Sequence, residues 1–253
     1  MINTAQNNIS ESQQNKPKSE EGFFKSLFLA IIFAVLIRSF LYEPFHIPSG
    51  SMKPNLLVGD YIFVSKYSYG YSRYSFPFGL PIFKGRILSY LSQPKRGDIA
   101  VFRLPNNPEI NYVKRIIGLP NDKIQIKEGV VFINNIPLKQ IADGTYHDLS
   151  INKKLQKFQE EINLNQSISI LDQEKTDQDD TGIYTVPENH YFMMGDNRDN
   201  SQDSRFLQHV GYVPAENLVG KVSLVFFSLD LDNFNFNNIV KIIRYNRLFL
   251  TPK

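Results

Sequence analysis

An apolar run from Phe23 to Tyr42 does most to limit what this chain can become. At about 20 residues it is long enough, as a helix, to cross roughly 30 Å of hydrocarbon. The same length fits a buried core helix or a cleaved leader. A leader has a short basic start and a small-residue cleavage site. Here a long tail of mixed charge precedes the run, and Arg38-Ser39-Phe40-Leu41-Tyr42-Glu43-Pro44 closes it. The run is therefore expected to be an uncleaved transmembrane anchor over 23–42, with the lipid bilayer as its partner. Lys16, Lys18 and Lys25 lie before or at its start. Acidic residues count little in the positive-inside rule, so the tail is expected inside and the rest of the chain outside. Arg38 argues weakly the other way, but it can snorkel to the outer headgroups.

Residues 1–22 are polar and lack apolar periodicity, which predicts a disordered tail. The formal net charge of +3 and the lack of a basic stripe interleaved with aromatics argue against nucleic acid as a partner. With no cysteine, disulfides, thiolate metal sites and a cysteine nucleophile are excluded. The four histidines have no metal-ligand spacing. A calcium-loop match at Asp177–Gly182 with Glu188 lacks the usual fifth-position ligand and flanking helices. No metal or cofactor is expected.

Beyond Pro44 the chain reads as short strands. They are Leu57–Tyr67, Asp98–Arg103, Tyr112–Gly118, Lys123–Lys127, Val130–Ile133, Tyr191–Met194 and Val219–Phe227. Turns fall at Leu119–Asp122, Glu128-Gly129 and Asn134-Asn135. The expected fold class is mainly β: a transmembrane helix followed by an antiparallel, β-rich domain over 43–138 and 183–228. Residues 139–182 form a polar, charge-rich insert, expected to be a less regular subdomain. Ser68–Gly97 is expected to be a loop or hairpin, and Ile239–Leu248, within a C-terminal segment 229–253, a final helix or strand.

Three segments carry chemistry. In Ile47-Pro48-Ser49-Gly50-Ser51-Met52, Gly50 permits a tight path that can aim the Ser51 hydroxyl and N–H into one cleft. Ser49 adds a second hydroxyl, and the group resembles an oxyanion hole. A serine needs a base, and an unprotonated lysine can serve. Lys114 is that candidate: Tyr112, Val113, Ile116 and Ile117 offer an apolar setting that would disfavour its charged form. Arg115, next along a strand, points to the opposite face, which fits one buried and one exposed cation. In Gly195–Arg205, Asp196, Asp199 and Asp203 alternate with Arg198 and Arg205. Asp–Arg pairs there would hold a turn that presents Ser201 to the lysine.

Together, Pro48–Pro54, Arg96–Phe102, Tyr112–Pro120 and Gly195–Arg205 resemble the ordered boxes of bacterial type I signal peptidases. The resemblance runs from about Phe24 to Ser228, and the insert matches least. It implies a monomeric serine–lysine endopeptidase of the bacterial inner membrane, catalytic domain on the outer face, cutting signal peptides from exported preproteins without a cofactor. It implies Ser51 as nucleophile, Lys114 as general base, Ser49 at the oxyanion and Ser201 orienting Lys114, with Asp203 and Arg205 as support. Phe45, Ile47, Met52, Leu56, Tyr112 and Val113 would line the cleft for small side chains. Self-cleaving repressors share the serine–lysine chemistry but would need an N-terminal helix-turn-helix. A peptide-binding domain with a dead site would not need both Ser51 and Lys114.

Overall fold

Apolar alternation places one face of each strand toward a shared core, and the result is a seven-stranded antiparallel sheet. The computed structural model describes residues 18–76, 85–88, 93–164, 166–230 and 242–252. The strands run, across the sheet, Tyr42–His46, Asp60–Ser65, Leu218–Ser228, Ile99–Leu104, Asn107–Gly118, His190–Met194 and Val213–Pro214. A four-stranded sheet carries Lys123–Lys127 and Val130–Ile133, flanked by Tyr184–Thr185 and Ile136–Pro137. Its hairpin turns use Glu128-Gly129 (φ 49°, 76°) and Asn134-Asn135 (φ 52°, 68°), the double left-handed conformation that two-residue hairpins require. The fold is thus mainly antiparallel β with one N-terminal apolar helix, as the strand pattern predicts.

The insert departs from its expectation. It is a regular three-stranded antiparallel sheet of Gln140–Asp148, Lys153–Asn163 and Gln166–Leu171. Its apolar residues are spaced by two: Ile168 and Ile170 are buried, and so is Ile162 on the neighbouring strand. These share one core with Ile117, Phe192 and Met194 of the large sheet. Charge density on the opposite face masks that alternation in the sequence.

The helix spans Lys18–Phe40, so it begins inside the stretch expected to be a disordered tail; residues 1–17 lie outside the described ones. Within it Gly22–Phe40 is long and apolar enough to cross a membrane, the one such helix among the described residues. Phe23, Phe24, Phe28, Leu29 and Phe33 stand exposed. Of the C-terminal segment 229–253, residues 229–230 and 242–252 are described, so the first part of the expected element Ile239–Leu248 lies outside the described residues. Leu250 bridges to Val225, and Tyr245–Arg247 is a short 3-10 turn. Arg247 donates to both carboxylate oxygens of Asp60, at 2.9 and 2.6 Å. In the expected loop 68–97, Tyr71–Ser72 pairs with Arg86–Ile87, while residues 77–84 and 89–92 lie outside the described ones.

Candidate active site

Strand Tyr42–His46 is an edge of the large sheet, and the chain leaves it extended through Ser49 before turning in the 3-10 helix Gly50–Met52. Two backbone bonds fix the approach: Ile47 N donates to Asp60 O at 2.8 Å and Gly59 N to Ile47 O at 3.0 Å. The turn is held from the far side by Asn197, whose N donates to Ser51 O and whose Nδ2 donates to Gly50 O, both at 3.1 Å. The hydroxyls of Ser49 and Ser51 lie 3.4 Å apart.

Lys114 reaches the same turn from strand Asn107–Gly118, where it pairs with Ala100. Its Nζ donates to Ser51 Oγ at 2.5 Å, and the residue is 3% exposed. Burial pushes the amine down from its usual range to about 8; the Asp203 and Asp196 carboxylates oppose that fall, and Arg205 adds to it. Arg115 does point to the other face, but it is not exposed. It is fully buried, with Nε and Nη2 each 2.7 Å from an oxygen of Asp196 and Nη1 donating to Gly97 O at 2.6 Å. A bidentate carboxylate is what makes a buried guanidinium tolerable.

In the Gly195–Arg205 loop the hydrogen bond of Ser201 runs to Asp203, at 2.7 Å, and not to Lys114. Asp203 also accepts from Gly195 N at 3.0 Å and from Arg205 Nε at 2.9 Å. Burial works against its charge, but the Arg205 guanidinium, the Gly195 N–H and the Lys114 amine together hold the carboxyl below its usual range. Arg205 Nη2 reaches on to Arg198 O at 2.6 Å. Asp203 and Arg205 therefore brace the loop. Asp203, with its charge near Lys114, is the link between loop and amine.

A cavity of about 490 Å³ opens beside Ser51 and Lys114. Phe45, Ile47, Met52, Tyr112 and Val113 line it. Leu56 does not. It is fully buried in the core beneath the Gly50–Met52 turn, packed with Ile47 and Met52. His46, Ile110, Asn111, Asn200 and Gln202 line the cavity too, and sequence reasoning missed them. Ile110 is an apolar exception in a polar strand end, a weak signal. Gln202 sits inside the recognised loop, where it accepts from the Tyr112 hydroxyl at 3.0 Å.

Away from the cavity, Asp172, Asp179 and Asp199 bring carboxylate oxygens within 4.8 Å of one another. Backbone donors satisfy part of this group: Thr176 N donates to Asp179 and Gln173 N and Glu174 N to Asp199. Burial, then the charge of Asp199, raise Asp172 to about 7.

The sequence matches the family model described as signal peptidase, peptidase S26, over residues 21–227. The chain belongs to this family. It is 42% identical to the signal peptidase I of Rickettsia typhi over 87% of this chain and 84% of that one. It is 39% identical to the signal peptidase I of Rickettsia canadensis over 94% and 95%. A solved signal peptidase I from Enterococcus faecalis is 27% identical, covering 52% of this chain and 98% of that one with a TM-score of 0.32. As a member of the S26 peptidases the chain is a hydrolase of peptide bonds. Ser51, Lys114 and the whole Gly195–Arg205 loop fall within the matched residues, as does the insert.

Proposed function

We propose that this protein is a membrane-anchored serine endopeptidase that removes signal peptides from exported preproteins, with Ser51 as nucleophile and Lys114 as general base. The contact that supports this best is Lys114 Nζ on Ser51 Oγ, in a buried setting that lowers the amine to about 8. A neutral amine accepts the Ser51 proton as Oγ attacks the carbonyl carbon. The oxyanion forms beside the Ser49 hydroxyl. Collapse breaks the C–N bond, the lysine ammonium gives its proton to the leaving amine, and the signal peptide stays on Ser51 as an ester. Water then gives a proton to Lys114, attacks the ester and frees the serine.

Substrate enters extended, between the edge strand carrying Phe45 and the stretch Ile110–Val113, adding as a strand by β-augmentation. Both line the cavity. Phe45, Ile47, Met52 and Val113 give the cavity an apolar wall, which suits small apolar side chains beside the scissile bond. The helix Gly22–Phe40 serves as a single-pass anchor in the bacterial inner membrane, tail inside and catalytic body on the outer face. Substrate and enzyme then share one membrane, which raises their effective concentration.

The test is cleavage of a model preprotein by wild type and by Ser51→Ala, with the cut site read by mass spectrometry. Cleavage after a small residue by wild type alone supports the reading. Equal turnover by Ser51→Ala removes Ser51 from its role. Protease accessibility of the body in sealed inner-membrane vesicles of either sidedness tests the orientation.

A further inference from the structure

Both halves of the active site are gripped by the same small sheet, the insert. Lys53, two residues beyond Ser51, donates to Asp148 Oδ1 at 2.7 Å and Oδ2 at 2.9 Å, and to Ser150 Oγ at 2.9 Å. Lys53 is 5% exposed and Asp148 2%. The pair joins the nucleophile turn to the end of the insert's first strand. On the insert's second strand, Glu160 accepts from both terminal nitrogens of Arg198, Nη1 at 2.9 Å and Nη2, and both residues are buried. Arg198 belongs to the loop that carries Ser201 and Asp203. The third strand completes the grip: Leu171 N donates to Asp196 O at 2.9 Å, Arg198 N donates to Leu171 O at 2.8 Å, and Asn55 Nδ2 donates to Ser169 O at 2.7 Å.

Stability alone is a poor reason for such pairs. Replacing a buried ion pair by apolar groups of similar volume is often neutral or stabilising. Direction is what the pairs add. Lys53 sits between a turn that must hold Ser51 Oγ against Lys114 and a carboxylate fixed on a separate sheet. Gly50 packs directly on this side chain, since a Cβ there would lie 3.2 Å from Lys53 Cε.

We propose that the insert is a positioning element for the catalytic pair, and that Asp148, through Lys53, and Glu160, through Arg198, are its positioning residues. Neither carboxylate touches Ser51 or Lys114. Each fixes the segment that does, so each governs the rate of the chemical step more than the hold on substrate. The proposal rests on the serine–lysine reading above.

The experiment measures steady-state cleavage of a model preprotein by the full-length protein in detergent. Wild type, Ser51→Ala, Asp148→Asn, Glu160→Gln and the paired Lys53→Met/Asp148→Leu are compared, with melting temperatures for each. Asp148→Asn and Glu160→Gln are expected to lower kcat by about tenfold or more, since small misplacements near reacting groups cost that much. KM is expected to stay within about twofold. The paired apolar variant is expected to melt like wild type and still show the loss in kcat. Wild-type kcat in that variant overturns the proposal, because packing alone would then suffice. Failure of the paired variant to fold also overturns it, since the pair would then serve the fold rather than the turn. An effect confined to KM overturns it as well. If wild type and Ser51→Ala cleave alike, the serine–lysine reading itself fails, an outcome distinct from all of these.

Discussion

Gly195 lies so close to Ser51 that a Cβ on it would stand 2.6 Å from the Ser51 carbonyl oxygen. The same atom would fall 2.2 Å from Ser201 Oγ. The loop that carries Ser201 and Asp203 and the turn that carries Ser51 therefore meet at close range. A methyl group there must push them apart.

Gly195→Ala is expected to reduce kcat by about a hundredfold. The overpacking should also lower stability by roughly 1–3 kcal/mol. Gly182→Ala is the control, because a Cβ at Gly182 meets nothing within 4 Å. Cleavage kinetics and chemical denaturation of the two variants check this.

Activity should follow the free amine. Burial sets Lys114 near 8, so kcat/KM is expected to fall about tenfold per pH unit below that value and to level off above it. A profile from pH 6 to pH 10 reads the limb directly. A flat response down to pH 6 would count against a neutral-amine base.

The same shift has a sign for stability. Lys114 in the fold titrates near 8, below the 10.5 of an unperturbed lysine. Between those values the unfolded chain binds more protons than the folded one, so stability rises with pH across that window. Below it the full cost of burying the ammonium is present. Lys114→Met is expected to be inactive, yet more stable at pH 7 by on the order of 2–3 kcal/mol. The gain should shrink toward pH 10. Melting curves at pH 7 and pH 10 test both parts.

Asp172 runs in the opposite direction. Its carboxyl is raised to about 7 by burial, then by Asp199, well above an ordinary 3.8. The stability this protonated acid contributes is complete below about pH 4 and is lost as pH rises through about 7. Asp172→Asn should therefore stabilise the protein at pH 8 by on the order of 1–3 kcal/mol and leave it little changed at pH 4. Denaturant midpoints at the two pH values, at constant ionic strength, provide the check.

Much of this architecture is legible in the residues themselves, for physical reasons. Strands such as Lys123–Lys127 and Val130–Ile133 alternate cleanly because one face is buried and one is wet, and their turns carry residues that tolerate positive φ. The Ser51–Lys114 contact follows from chemistry, since a lone serine needs a base. Long-range pairings are less visible. Nothing local links Glu160 to Arg198 or Asp148 to Lys53, and a charge-rich segment looks solvated until its partners are placed. Leu56 shows the converse. The resemblance implies a cleft wall there, but beyond the turn at Gly50–Met52 its side chain packs into the core. The resemblance implies that Ser201 orients the amine; in the structure its hydroxyl donates to the Asp203 carboxylate.

Adjacent positions on strand Asn107–Gly118 carry two cations of opposite chemical capacity. Lys114 can lose its proton, while Arg115 cannot. Because side chains alternate with a period of two, sliding that strand by one residue against Ile99–Leu104 would aim the guanidinium at Ser51. A misthreaded molecule would then be inert rather than slow. On the proposed serine–lysine chemistry, the clamp of Asp196 on Arg115 holds the guanidinium away from the place of the proton acceptor.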